Sequence, residues 1–244
     1  MKIITYATHS SGTFDTISQN EHVVVLGYGD KWEGFLQRAK VINEYLNTLP
    51  DDEIVVVIDG FDSYIKKHDS TVIEKFLSMD CGVLISVVKG CEILSYFPDW
   101  FATYFTEKVY GKGKVANNGL MMGRVEYLKI LFGEVIPNGP SNEDQRNLNM
   151  VKHKLSFLKM DVFQAVFDNC SSVEEVENST ACYCQIPGKA SFSRLIRGLY
   201  EYLPFFKYEI IIFTLFFLVT WQLLYQIKIR VYSKWQSNLN LQSH

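Results

Sequence analysis

The N-terminal half of the chain alternates short apolar runs with segments in which apolar residues recur at helical spacing. The runs are rich in β-branched residues and predict strands at residues 3–7, 23–26, 54–58 and 83–88. Apolar residues then recur every three or four positions from Trp32 to Leu49, which predicts a helix with one buried face. A further helix is predicted at about 70–79. This alternation predicts an α/β domain of the doubly wound type.

A segment near the C-terminus departs from this pattern. No charged residue lies between Glu209 and Lys228, and the stretch Ile210–Ile227 is almost entirely apolar. As a helix it is about 27 Å long, close to the ~30 Å of bilayer hydrocarbon. Basic and aromatic residues flank it, as they flank membrane spans. The alternative is a buried core helix, which would need later segments to cover it. We therefore expect a soluble domain at 1–206, a transmembrane helix at 208–227 and a short basic and polar tail at 228–244.

Composition and charge narrow the class of protein. The chain has 244 residues, 48% of them hydrophobic, and a formal net charge of −3, which excludes a disordered chain. A mean hydropathy of +0.01 excludes a protein with many membrane spans. Residues 1–207 carry 21 Lys and Arg against 26 Asp and Glu, and residues 208–244 carry 3 against 1. An acidic domain of this kind gives no reason to expect nucleic-acid binding.

The first residues of the chain and the late position of the apolar helix predict where the protein is located. A single lysine and two isoleucines after Met1 are followed at once by polar residues, so no secretory signal peptide is predicted. An apolar helix that leaves the ribosome last favours a catalytic domain in the cytosol. A lumenal domain is the alternative, and two glycosylation sequons, at Asn169 and Asn178, would then matter. Five cysteines without regular spacing do not indicate a disulfide framework.

Two carboxylates follow the most apolar run directly. Ile54–Ile58 consists entirely of β-branched residues, which predicts a strand buried on both faces of a parallel sheet. Asp59 and Asp62 come next, with Gly60 between them, and ligands of open α/β sheets bind beyond the carboxyl ends of the strands. Such a pair suits Mg²⁺ or Mn²⁺, which neutralises a diphosphate leaving group. The alternative is that Asp59 caps a turn while Asp62 is solvated.

Other phosphate-handling classes do not fit these residues. A haloacid-dehalogenase phosphatase has its two aspartates separated by one residue, whereas two residues separate Asp59 from Asp62. A P-loop motif is absent from the sequence. A nucleotidyltransferase, which also places paired carboxylates on an α/β sheet, stays open as an alternative.

The order of several segments resembles the glycosyltransferase domain of procollagen lysyl hydroxylases. Residues 25–34 and 54–62 are similar to its first segments, Asn117–Gly123 to its Asn-Ser-Gly-Gly-Phe-Ile-Gly segment, Asn142–Gln145 to the end of its poly-Asp-Gln stretch, and Val162–Gln164 to its Ile-Phe-Gln motif. The resemblance runs from about residue 3 to about 203. It implies a GT-A-like fold, an open and mostly parallel sheet flanked by helices. It also implies Mn²⁺-dependent transfer of a hexose from a UDP-sugar to a hydroxyl acceptor on a protein or glycan.

The resemblance assigns roles to individual residues. The implied metal ligands are Asp59, Asp62 and Gln185, the last in place of a histidine of the family. The implied donor-binding residues are Thr5, Arg38, Lys40, Phe61 and Asn117, with Arg38 or Lys40 at the diphosphate and Asn117 in an acceptor-side turn. The transferred sugar would be contacted, or the acceptor deprotonated, by Glu143 and Asp144.

Two departures from the family keep another class of function open. An amide oxygen at Gln185 is a weaker, neutral ligand than imidazole, and the acidic stretch is reduced to Asn142, Glu143 and Asp144. The alternative to an active transferase is a catalytically weakened GT-A-like fold, held at a membrane as a binding or scaffold protein. No histidine lies two positions before an acidic residue, so the iron site of a 2-oxoglutarate hydroxylase is not expected.

Overall fold

A computed structural model describes residues 1–89, 98–136, 143–187 and 203–241. The chain divides into two compact units, Met1–Ser191 and Phe192–His244. Asn142, in the segment similar to the poly-Asp-Gln stretch, lies outside the described residues. This division into two units does not test the predicted domain limit at residue 206, which stays a prediction.

The first unit contains a six-stranded sheet and a three-stranded sheet. The strands are β1 (Lys2–Tyr6), β2 (Val23–Leu26), β3 (Ile54–Asp59), β4 (Ser63–Ile65), β5 (Val83–Val87), β6 (Ala116–Arg124), β7 (Leu158–Met160), β8 (Phe167–Asn169) and β9 (Tyr183–Gln185). The large sheet has the order β2-β1-β3-β6-β5-β7, and the small sheet has the order β4-β9-β8. In the large sheet β6 alone runs antiparallel to its neighbours.

Helices lie between the strands along the chain. They are α1 (Phe14–Ile17), α2 (Phe35–Leu46), α3 (Ser70–Ser78), α4 (Asp99–Tyr110), α5 (Val125–Val135), α6 (Asp144–Val151) and α7 (Val173–Asn178). The predicted α/β fold with an open, mostly parallel sheet flanked by helices is confirmed. The predicted helix at 32–49 is shorter at both ends, and at its start Gly34, with φ of 120°, precedes the first turn. Trp32 lies before the helix, with its ring centroid 6.0 Å from that of Tyr6.

Strand β3 lies at the centre of the core, as its β-branched run predicts. Val55 and Val57 belong to one apolar cluster and Val56 and Ile58 to another, because successive side chains of a strand point to opposite faces. The first cluster includes residues of α2 and α5, and the second includes Phe76 of α3. Since all four side chains are fully buried, both faces of the strand are covered. This packing fixes the position of Asp59 at the end of β3.

The second unit contains a single long helix among its described residues, α8 (Lys207–Leu241). Its stretch Lys207–Tyr225 is long and apolar enough to cross a membrane, with a mean hydropathy of 1.6. The apolar side chains there are exposed around the helix, including Phe213 at 70% and Phe216 at 69%. A helix that is apolar on all sides and uncovered is typical of a membrane span rather than a soluble core. The described part of the chain therefore has one candidate membrane anchor, close to the predicted 208–227.

Candidate functional site

The carboxyl edge of the large sheet carries the predicted carboxylate pair. Asp59 is the last residue of β3, and its Oδ1 accepts a hydrogen bond of 3.0 Å from the backbone N–H of Phe61. A Cβ at Gly60 would lie 2.9 Å from Cβ of Ala7 and 3.0 Å from Oγ1 of Thr5. Only glycine therefore lets this turn pack against the end of β1, which places the turn beside the strand ends where ligands of α/β sheets bind.

The antiparallel strand β6 brings polar residues to the same edge. Asn117 pairs with Ser86 near the end of β5, and Leu120 pairs with Ile58 near the end of β3. The first residues of an antiparallel strand meet the last residues of its neighbours. Asn117 and Asn118 are therefore delivered to the edge where β3 ends, and both are buried.

One group of charged residues, here the charged corner, consists of Arg38, Asp59 and Asp144. Arg38 is in α2 and only 7% exposed. Its Nη1 lies 3.6 Å from Oδ2 of Asp59 and 4.0 Å from Oδ2 of Asp144. Its Nη2 donates a hydrogen bond of 2.8 Å to the carbonyl of Asn118. A single guanidinium thus faces two carboxylates from α2.

Asp144 begins helix α6 and is 3% exposed. Burial raises the pKa of its carboxyl, and the nearby Arg38 and the side-chain amide of Asn118 both oppose that rise. Within the described part of the chain, Oδ2 of Asp144 and Nδ2 of Asn118 make no hydrogen bond of ordinary geometry. Buried polar atoms are nearly always paired in folded proteins. The amide of Asn118 still lies close enough to this carboxyl to favour its charged form, so the two atoms are poorly paired with each other, and a hydroxyl-bearing ligand would complete both.

A second group, here the amide corner, consists of Asn117, Asn169, Gln185 and Asp62. Nε2 of Gln185 donates to Oδ1 of Asp62 at 2.7 Å, and its Oε1 accepts from Nδ2 of Asn117 at 2.9 Å. Nδ2 of Asn117 also donates to Oδ1 of Asn169. The three amide side chains are each at most 6% exposed. The small sheet holds this group together, since Gln185 pairs with Ser63 on one side and with Asn169 on the other.

Four predicted site residues lie outside these two groups of contacts. Lys40 is exposed on α2, two residues after Arg38, and no described contact links it to the site. Thr5 is fully buried and its hydroxyl donates to the carbonyl of Ile58, and its contact with a nucleotide stays a prediction. The ring of Phe61 lies 5.2 Å from that of His9. Glu143 precedes α6, and its backbone carbonyl accepts from the N–H of Asn147.

The donor atoms at this edge fit a hard divalent cation only in part. Asp59 and Asp62 offer carboxylate oxygens of the kind that Mg²⁺ and Mn²⁺ bind. The predicted third ligand differs, because the amide oxygen of Gln185 accepts from Asn117 and its NH₂ group faces Asp62. The two carboxylates fit the cation, and the amide does not offer its oxygen to it.

A second acidic group was not predicted from the sequence. Ligand atoms of Asp168, Cys170 and Glu175 lie within 4.8 Å of one another, a spacing compatible with a divalent metal. The ammonium of Lys89 lies 2.7 Å from Oδ1 of Asp168 and also binds Glu175. Hydrogen bonds from Lys89 and from Ser171 lower the pKa of Glu175 to about 2. Lysine thus already neutralises this group, and we assign it no metal.

Three further residues of the site escaped sequence reasoning. Asn118, Gly119 and Asn169 each contribute to one of the two corners. The first two lie in the segment Asn117–Gly123 that resembles the family, but no site role was predicted for any of the three. Asn169 follows the apolar pair Val166 and Phe167, which is the signal of a short strand ending at this edge.

Comparison with known proteins finds structural likenesses but no sequence relative. No protein-family model and no curated protein matches the chain. A glycosyltransferase involved in the glycosylation of the major capsid of PBCV-1 aligns with a TM-score of 0.48 and 11% identity, over 78% of this chain and 96% of that one. The bifunctional glycosyltransferase WbbM, in its apo structure, aligns with a TM-score of 0.47 and 8% identity, over 78% of this chain and 46% of that one.

These two likenesses limit what the comparisons establish. Both TM-scores lie below 0.5, so the likenesses assign no function to this chain. Neither structure is a procollagen lysyl hydroxylase, and that resemblance therefore stays a prediction. The function has to be inferred from the residues of the site itself.

Proposed function

We propose that the chain is a metal-dependent glycosyltransferase that moves a hexose from a UDP-sugar to a hydroxyl acceptor. The observation that carries this proposal is the charged corner. Asp59, at the end of β3, and the buried Asp144 both face the guanidinium of Arg38 at the edge of the sheet where ligands bind. Oδ2 of Asp144 and Nδ2 of Asn118, which make no hydrogen bond of ordinary geometry, supply an acceptor and a donor for sugar hydroxyls. The resemblance of residues 3–203 to a family of sugar transferases supports the same reaction.

The roles follow from charge and position. Asp59 and Asp62 would hold Mn²⁺ or Mg²⁺, which neutralises the diphosphate as its negative charge grows. Arg38 supplies a fixed cation beside the carboxylates and binds phosphate oxygens. Asp144 hydrogen-bonds a hydroxyl of the sugar or of the acceptor, with Glu143 next to it in the chain. The acceptor hydroxyl gives up its proton, to the carboxylate of Asp144 or to the departing diphosphate. Its oxygen bonds to the anomeric carbon as the bond from that carbon to the diphosphate breaks, and UDP leaves.

The test is release of UDP by the full chain in detergent micelles. UDP-glucose and UDP-galactose are incubated with the protein and Mn²⁺, and free UDP is measured. We expect release from one of these donors, lost in Asp59→Asn and retained in Asp52→Asn. Asp52 is a matched control because it is exposed and lies before β3 rather than after it.

The alternatives give different results in the same experiment. A scaffold protein binds UDP without releasing it from a donor, and this result would favour a catalytically weakened fold. Release of pyrophosphate from a nucleoside triphosphate would favour a nucleotidyltransferase. Either outcome contradicts the proposed sugar transfer.

We also propose that α8 anchors the domain in a membrane with the domain in the cytosol. The exposed, apolar surface of Lys207–Tyr225 supports the anchor. Of the two sequons, only Asn178 is exposed, whereas Asn169 is buried and its Nδ2 donates to the carbonyl of Val87. A glycan at Asn178 would slow the protein in gel electrophoresis, and Asn178→Gln or a glycosidase would remove this change in mobility. Such a glycan would show a lumenal domain and contradict the cytosolic topology.

A further inference from the structure

We infer that Gln185 is a positioning residue that holds Asp62 by hydrogen-bond donation, and that it does not ligate the metal. The inference rests on the proposed function for the role of Asp62. For the role of Gln185 it rests only on the hydrogen bonds of the amide corner. Those bonds run from the N–H of Gly119 to the carbonyl of Val87 through Asn117 and Asn169, and Gln185 branches from Asn117 to Asp62, so the orientation of each amide can be worked out.

Two backbone groups determine the orientation of the amides of Asn117 and Asn169, because a backbone N–H only donates and a carbonyl only accepts. The N–H of Gly119 can only donate, so the atom of Asn117 that lies 2.9 Å from it is the amide oxygen. The carbonyl of Val87 can only accept, so the atom of Asn169 that lies 2.7 Å from it is the amide nitrogen. Asn117 therefore turns its NH₂ group toward Asn169 and Gln185, and Asn169 presents its oxygen to that group.

The orientation of Gln185 follows from that of Asn117. Because the NH₂ group of Asn117 donates, the atom of Gln185 that faces it must accept and is Oε1. Nε2 is then the atom that lies 2.7 Å from Oδ1 of Asp62. Turning the amide over would place two NH₂ groups against each other and the amide oxygen against a carboxylate oxygen. Both hydrogen bonds of Gln185 would be lost.

Packing also prevents the amide from moving aside. Gln185 is 5% exposed, and its side chain lies against the backbone of β6 at Gly119. A Cβ at that glycine would lie 2.2 Å from Oε1 and 2.5 Å from Nε2. The side chain therefore fills the space above Gly119 and keeps Asp62 in place before any metal arrives. The remaining metal ligands come from diphosphate oxygens or water, which Mg²⁺ commonly keeps.

The experiment follows the side-chain NH₂ signals of Gln185 by nuclear magnetic resonance. The full chain is labelled with ¹⁵N in detergent micelles, and the signals are assigned by their loss in Gln185→Glu. Without metal, Asp62→Ala removes the acceptor, and we expect the Gln185 signals to move toward those of solvent-exposed glutamines. Asp52→Ala, the matched control, should leave them unchanged.

Addition of Mg²⁺ then separates the two roles of Gln185. We expect the backbone signals of Gly60 and Phe61 to shift while the Gln185 NH₂ signals keep their positions. The inference is overturned if Asp62→Ala leaves those NH₂ signals unchanged, or if Mg²⁺ moves them to exposed positions. If Mg²⁺ shifts no signal near Asp59 and Asp62, the metal in the proposed function is wrong, and the metal-free comparison still decides the role of Gln185.

Discussion

The charged corner and the amide corner lie at the same edge of the sheet and differ in how their polar atoms are paired. In the amide corner, each amide of Asn117, Asn169 and Gln185 both donates and accepts a hydrogen bond. In the charged corner, Arg38 faces two carboxylates at 3.6 and 4.0 Å, and Oδ2 of Asp144 accepts no hydrogen bond from the described residues. The three amides of one corner are paired without a ligand, whereas Oδ2 of Asp144 in the other is not.

This difference separates the frame of the site from its reactive part. An unpaired buried polar atom costs about 1–3 kcal/mol, and a ligand that pairs it recovers part of that cost. A closed amide network holds its members in one arrangement, and a network that is only partly paired is costly. We therefore expect substitutions in the charged corner to affect turnover most, and those in the amide corner to affect stability first.

The largest effect is expected at Asp59. Asp59→Asn keeps the shape of the side chain and an acceptor for the N–H of Phe61, but removes the charge that would hold the metal. We expect UDP release to fall at least about 1,000-fold, the scale of several kcal/mol of lost charge stabilisation. Asp52→Asn should retain activity. Equal losses in both variants would contradict a specific role for the charged corner.

The next effect is expected at Arg38. Removing one partner of a buried ion pair costs about 3–5 kcal/mol, and the long separations from Asp59 and Asp144 place Arg38→Met at the low end, about 3 kcal/mol. Urea unfolding measures this change. The matched control is Lys40→Met on the same helix, which removes an exposed cation and should change stability by less than about 0.5 kcal/mol. A similar loss in both variants would show that Arg38 is not specifically paired.

A smaller effect is expected from Gly119→Ala in the amide corner. The new Cβ would lie 2.2 Å from Oε1 of Gln185, and overpacking of this kind costs about 1–3 kcal/mol. Gly133→Ala is the control, since nothing lies within 4 Å of a Cβ there and helix propensity favours alanine by up to ~1 kcal/mol. The double variant Gly119→Ala with Gln185→Ala should be no less stable than Gln185→Ala alone. If the double variant were less stable than Gln185→Ala alone, the Cβ at residue 119 would clash with a group other than the side chain of Gln185.

The smallest effect concerns the pH dependence contributed by Asp144. Burial raises the pKa of Asp144 above its ordinary 3.8, so the folded state binds this proton more tightly than the unfolded state. The contribution to stability is then present below pH 3.8 and is lost as pH rises toward the folded pKa. Relative to Asp144→Asn, the wild type should lose stability over that range in urea unfolding. If the wild type instead gained stability as pH rises, the effect of Arg38 on the pKa of Asp144 would be larger than the effect of burial.

The sequence predicted the parts of the fold that rest on apolar runs. The run 54–58 predicted β3, with both faces buried, because five β-branched residues in succession suit only that environment. Strand β6 was not predicted, since it begins Ala116-Asn-Asn-Gly and contains no β-branched residue. Strands β4, β8 and β9 have three residues each, too few for any period to be visible.

The site was predictable only where it follows a strand. Asp59 ends β3, directly after the apolar run 54–58, so its place at the carboxyl edge could be predicted from the sequence. The contact of Gln185 with Asp62 depends on the pairing of β9 with β4, across more than a hundred residues. The resemblance placed Gln185 near the metal, and only the hydrogen bonds of Asn117 show which end of its amide faces Asp62.

The close approach of Gly119 to Gln185 has a consequence for the evolution of this protein. The space that a side chain at 119 would need is filled by the amide of residue 185. In an alignment of homologous sequences, positions 119 and 185 should therefore covary. Homologues that keep glutamine at 185 should keep glycine at 119, and a larger residue at 119 should occur only with a shorter one at 185.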